Sequence, residues 1–430
     1  MNKKNKKTPP KPKQHSAAPI KLPASHIALI EYLKSEAADL WDWFSSHQAR
    51  SSSSDAVRLE LLKSAYRLER RDRPKLSDRK KVATDVYQLA DAVAQKMELV
   101  APITIYQAQD SGGLNASLAW LPDEIHVVLY GSVLELLSHG EITALLAHEF
   151  AHHELYTIDK GAGLVLEQVL AAMISDPTAD NAHERTWRTH RLQTELYCDR
   201  RAAEVTDNIT DCVCALVKLE TGQKNVSAAA YFVQADEVLS DQTQKTKGSD
   251  GITHPEMFIR AKALQLWRDN PKTADAAINQ LVEGRLQLQQ LSLLRQREMR
   301  QLTRVFLQCF LSTHWLQTDL MLGHAKRFFD DFAWSDTTEN NGELKTQLAE
   351  CDAELRNYFC YVLLDFVTYD ADLEEAPLAA AFVFTEACGL TDEFRALAGT
   401  ELKFGKRALQ KVEAEAPQMV RQADSALAAS

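Results

Sequence analysis

The chain has 430 residues, 45% hydrophobic and 25% charged, the proportions of an ordinary globular protein with length for two or three domains and a sizeable core. A net charge of −11 argues against general affinity for nucleic acid, and seven scattered cysteines show neither a disulfide framework nor a zinc-finger spacing. Glycine is scarce, at 15 residues, and long stretches alternate at helical period, so a mainly α (α+β) protein is expected.

Residues 1–22 carry Lys3, Lys4, Lys6 and Lys7 among prolines and read as a disordered basic tail. No apolar h-region follows those lysines, so the start does not read as a secretory signal, and a reducing cytosol is the expected compartment. An N-terminal helical region, 23–76, holds a helical pattern over 26–46 with Trp41, Trp43 and Phe44, then a break at Ser51–Ser54, then a second pattern over 55–69. A third helix is expected over 77–97. Strands follow at 102–106 and 123–130, and His126, in the middle of the second, reads as a structural or surface histidine rather than a ligand. No apolar run reaches the ~20 residues of a membrane span. The nearest candidate, 161–174, is too short, contains Glu167 and reads as a buried helix.

The segment EITALLAHEFAHHELY carries the chemistry. On a helix, His148 and His152 lie four residues apart on one face and can grip one metal ion, and Glu149 is placed to take a proton from a water that the metal activates. The apolar positions Ile142, Leu145 and Leu146 lead into these polar groups, so the pattern buries a His–Glu–His cluster, which needs compensation that a metal supplies. A catalytic zinc takes a third protein ligand. Ile158 stands where a metzincin-type third His would be. Downstream, Glu195 and Asp199 are four apart on one helical face, suited to a carboxylate ligand and an acidic partner that orients an imidazole. His183 and His190 are alternative third donors, while His153 points about 100° away from His152 around the helix.

With these blocks the sequence resembles the HtpX-like and CAAX-prenyl-protease-type zinc metallopeptidases, which are gluzincins. Leu114-Asn115-Ala116 resembles the family's Asn-Ala segment, and residues 125–149 its strand, turn and helix into HExxH. Glu195 and Asp199 correspond to its ExxxD, and Thr253-His254-Pro255 with Arg260 and Leu264 to its late His-Pro…Arg…Leu. The resemblance implies a zinc metallopeptidase domain over 77–268, with one edge of a small sheet beside the cleft, Asn115 and Ala116 near that edge, and an extended peptide paired to it. It also implies that His254 lies near the metal as a transition-state donor; the other reading of His254 is a helix-start residue ahead of Pro255. Leu192 stands where the family usually has Arg, with Arg191 alongside, and Cys198 where it often has Ala. Many relatives carry transmembrane helices; this chain is expected to be a soluble version.

After 268 the metal pattern stops. A helical connector, 269–342, contains a long amphipathic segment, 276–311, dense in Leu, Gln and Arg. Residues 343–430 resemble TerB-like helical domains, with Asp370, Asp372, Glu374 and Glu375 between two apolar helices, and are a candidate surface for a protein partner. The expected function is a soluble zinc-dependent metalloendopeptidase acting on peptides or proteins, with Glu149 as base and then acid. The alternatives are a regulatory or scaffold protein on the same fold, or a protease that cuts one regulatory partner.

Overall fold

The structure, a computed structural model, describes residues 21–47, 54–70, 86–109, 113–121, 123–240, 255–334, 341–402 and 405–429. The basic tail before residue 21, residues 77–85 of the expected third helix, and the Thr253-His254 pair lie outside them.

The expected helix over 26–46 is two helices, α1 (Ala24–Glu36) and α2 (Ala38–His47), separated at Ala37 by a non-helical φ of −136°. The break lets both helices lie against the same wall. Leu29, Ile30, Leu33 and Trp41 pack with Leu155, Leu166, Val169 and Leu170, and Leu22, expected in the tail, is buried among them. The pattern over 55–69 also divides, into α3 (Ser54–Ser64) and a short strand β1 (Ala65–Arg67). Tertiary pairing overrides local period here: β1 adds antiparallel to β2 (Ile103–Ala108), with Ala65 opposite Ala108.

Two strands were expected and four form one sheet, in the order β1-β2-β4-β3, with β3 at Asn115–Leu121 and β4 at Glu124–Tyr130. β2 and β4 are parallel, and β3 pairs antiparallel with β4. The central strand β4 is buried on both faces, which explains its nearly continuous apolar run. Ile125, Val127 and Leu129 face the main core with α4 (Val86–Lys96), while Val128 packs with Leu61, Ala65 and Tyr106 on the other side. His126 is buried there as a structural residue, sharing hydrogen bonds with the Tyr106 hydroxyl at 3.2 Å and Glu124 at 2.7 Å.

A short α5 (Val133–Leu136) leads into α6 (His139–Thr157), followed by α7 (Ala162–Ser175), α8 (Asn181–Thr206), α9 (Ile209–Thr221), α10 (Ala228–Ser240) and α11 (Pro255–Asp269). Gly163 allows α7 to turn back tightly on α6: a Cβ there would meet the Leu155 carbonyl oxygen at 2.4 Å. None of the helices among the described residues is long and apolar enough to cross a membrane.

The amphipathic segment 276–311 is not one helix. It is α12 (Ala274–Glu283) and α13 (Leu293–Phe310), with Gly284 ending the first at a φ of 66°. This positive φ is cheap only for glycine and redirects the chain. α12 then packs on α8 and α11 through Ile278, Leu192 and Ile259. The rest is helical: α14 (Asp319–Phe328), α15 (Asn341–Glu350), α16 (Ala353–Val367), α17 (Ala376–Cys388), α18 (Thr391–Glu401) and α19 (Lys406–Ala429). Residues expected in the connector, such as Phe306 and Trp315, share one core with Phe359, Phe366 and Phe394 of the expected last unit. The boundary at 342–343 therefore does not separate two cores. Asp370 of the acidic loop is buried and accepts hydrogen bonds from the Thr318 hydroxyl, at 2.7 Å, and the Asp372 amide, at 3.1 Å. That is a capping role.

Candidate metal centre

The HEFAH residues sit in the middle of α6, and both ends of that helix are anchored. At its start Ser138 and Glu141 form a reciprocal capping box, and Lys218 of α9 reaches the same buried Glu141 at 2.9 Å. Near its end, Glu154, 2% exposed, accepts a two-pronged contact from Arg201 of α8, at 2.8 and 2.9 Å, and one from the Tyr197 hydroxyl at 2.7 Å. Phe150 and Ala151, on the far side of α6, are fully buried in the main core. These contacts fix the rotation and register of α6 against α8.

As a result His148 and His152 face Glu195. The Glu195 carboxylate lies 3.3 Å from His148 Nε2 through one oxygen and 3.7 Å from His152 Nε2 through the other. The two rings are 5.1 Å apart and nearly perpendicular. Asp199, one turn further along α8, meets His148 Nδ1 at 3.0 Å. Arg260, from α11, donates to Asp199 at 2.6 and 2.8 Å and contacts Glu195 at 3.1 Å. The sequence singled out Arg260 only as part of a family segment; its pairing with both carboxylates needed the tertiary structure.

The separations around Glu195 are compatible with a zinc ion. Ligand bonds of about 2.0–2.2 Å in a tetrahedron place neighbouring donor atoms roughly 3.3–3.6 Å apart, close to the separations around Glu195. Electrostatics agree. Burial works against a charge on His148, but Asp199 and Glu195 hold its protonation up at about 10, so the carboxylates draw a positive charge into the place between the imidazoles. His152 falls to about 4, through burial and the neighbouring His148 charge. Glu195 stays well below the usual carboxylate range: burial opposes this, and Arg260 and His148 outweigh it.

Cys198 Sγ is also within 4.8 Å of donor atoms on both histidines. Its thiol is fully buried and pushed well above its ordinary value, first by burial and then by Glu195, Asp199 and Glu149. In the metal-free chain Cys198 is therefore a neutral thiol, whereas Glu195 is a carboxylate.

Glu149 is 5% exposed, and burial pushes its carboxyl up to about 7, with the His148 charge pulling the other way. The nearby Leu118 backbone of β3 also favours its charged form. β3 is an edge strand, and Asn115 and Ala116 line the same cleft as His148 and Glu149. That cleft has a volume of about 620 Å³. Its walls include residues to which the sequence assigned no role in the site: Tyr156, Glu167, Arg191, Leu216 and Leu219. A lone carboxylate in the apolar run 161–174 was the one available signal, and it marks Glu167.

Two of the other histidines have carboxylate partners of their own. His183 belongs to a capping box with Asp180 at the start of α8, and His190 pairs with Glu167 at 2.8 Å. His153 is buried, with burial lowering it to about 4. His254 lies outside the described residues.

Residues 77–268 match the model for peptidase family M48. That segment is similar to M48 peptidase domains. An Arabidopsis thaliana protein described as plastoglobule-localized metallopeptidase 48, chloroplastic, is 26% identical over 200 residues, which cover 43% of this chain and 57% of that protein. The chain thus spans little more than half the length of the curated relative it matches. No solved structure matches it. The M48 match ends at 268, so α12 to α19 and the N-terminal helices α1 and α2 lie outside it.

Proposed function

We propose that this chain is a zinc-dependent metalloendopeptidase of gluzincin type, with His148, His152 and Glu195 as the metal ligands. The observation that carries the reading is the single carboxylate of Glu195 facing both HEFAH imidazoles, with Glu149 beside them in an open cleft. Zinc bound there supplies Lewis-acid activation of water and of the scissile carbonyl.

The protein's own groups do the rest. Asp199 accepts from His148 Nδ1 and so fixes which ring nitrogen faces the ligand position. Arg260 compensates the two buried carboxylates of α8. Glu149, raised toward neutrality by burial, takes the proton of the attacking water and returns it to the leaving amine nitrogen. The free edge of β3 at Asn115 and Ala116 offers backbone groups to an extended peptide. His254 is assigned as donor to the developing oxyanion on the family resemblance alone. The seven cysteines are all unpaired, which fits a reducing compartment such as the cytosol.

Glu149→Gln tests the mechanism. The variant should bind zinc as the wild type does and lose hydrolysis of an unfolded protein such as casein by at least about a hundredfold. Undiminished turnover at full zinc loading removes Glu149 from the reaction.

A further inference from the structure

We propose that the N-terminal helix pair, outside the M48 segment, is a working part of the metal centre, with His26 of α1 acting as a positioning residue for Glu195. The proposal rests on the zinc reading given above. His26 is completely buried, and its Nε2 shares a 3.2 Å hydrogen bond with the Thr194 hydroxyl. Thr194 directly precedes Glu195 on α8 and is itself 3% exposed.

A second line of contact reaches another residue of the cleft lining. The His26 ring packs edge-on against His190, at 4.9 Å between centroids, and His190 Nε2 meets Glu167 Oε2 at 2.8 Å. Glu167 lines the cleft from α7. His190 and Thr194 are four apart, so α1 grips one face of α8 through two successive turns. The apolar side of α1 and α2 meanwhile covers Leu155, at the end of the HEFAH helix, and Leu166, Val169 and Leu170 of α7. The helix pair outside the matched segment therefore touches α6, α7 and α8, three of the helices around the metal centre.

The physical role follows from the threonine. A hydroxyl inside a helix otherwise bonds back to a carbonyl of the preceding turn, which bends the helix. His26 gives Thr194 a different partner and keeps the turn that carries Glu195 at the setting in which its carboxylate faces both imidazoles. Supporting contacts of this kind typically affect metal affinity by roughly 10–100-fold.

The test is the zinc dissociation constant of the full chain, measured with zinc alone by competition against a chromophoric chelator. His26→Ala and Thr194→Val should each weaken zinc binding about tenfold, and the double variant should be no weaker than either single one. His26→Gln, which keeps a hydrogen-bonding group toward Thr194, should stay within about threefold of wild type. Should His26→Ala fail to fold, the near-isosteric Thr194→Val removes the same hydrogen bond and tests it alone. Zinc affinity within about twofold of wild type in Thr194→Val, or strictly additive losses in the double variant, overturns the proposal. If the wild-type chain takes up no zinc, the metal reading fails and this inference falls with it. If wild type binds zinc and the variants match it, this inference alone fails.

Discussion

Arg260→Met, studied in the metal-free protein, probes the charge balance of the centre. The guanidinium donates twice to Asp199, at 2.6 and 2.8 Å, and contacts Glu195 at 3.1 Å. The Asp199 side chain is 8% exposed and that of Glu195 25%. Methionine fills much of the same space and leaves two buried carboxylates with only the imidazoles for compensation. Removing one partner of a buried pair costs about 3–5 kcal/mol, and the partial exposure of Glu195 favours the lower part of that range. For a domain of this size, with about 2–4 °C lost per kcal/mol, the thermal transition should fall by roughly 6–12 °C. The assay is near-ultraviolet circular dichroism with excess chelator. Arg260→Lys, which keeps the charge but not the planar fork, should lie between the two proteins.

The pH dependence has a definite sign. Asp199 is held below its ordinary value: burial opposes this, and Arg260 outweighs it. Its contribution is present above the unfolded-state value and is lost as pH falls through the folded one. In Arg260→Met the same carboxyl takes up a proton at higher pH, so the gap between the proteins should narrow from about pH 7 toward about 4. A shift below about 2 °C at pH 7, or a gap that widens on acidification, refutes the charge-balance argument.

Three further outcomes are expected. Glu195→Ala should lower bound zinc, by elemental analysis after dialysis, far more than His183→Ala, whose imidazole is engaged with Asp180; the reverse order reassigns the third ligand. Cys198→Ala should retain full zinc, because its thiol resists ionisation, and loss of the metal would bring sulfur into the ligand set. His26, lowered to about 3 by burial and the neighbouring His190, should cost stability as pH falls below the unfolded value of about 6.5, by about 1.4 kcal/mol per pH unit down to about 3. His26→Gln should remove about one proton from that slope between about pH 7 and 5, and equal slopes would show that His26 does not stay neutral in the folded state.

Local periodicity alone laid down the two polar faces of the candidate metal centre. A four-residue repeat fixes which side chains share one side of a helix, so His148 with His152, and Glu195 with Asp199, are legible wherever those helices lie. The apolar run of β4, the burial of 161–174 and the mainly helical class were legible for the same reason, since local period reports burial. Where the elements end was set by tertiary contact. β1 exists because β2 offers it a partner, Ala37 breaks a helix so that α2 can reach α7, and Gly284 turns one amphipathic segment into two helices. The compensation of the centre was equally a tertiary matter. Arg260 meets Asp199 from 61 residues away, and His26 meets Thr194 from 168 residues away. No periodicity spans such distances. The sequence supplied the polar helix faces, and the packing of α6, α8, α11 and α1 brought them, with their charges balanced, to one point.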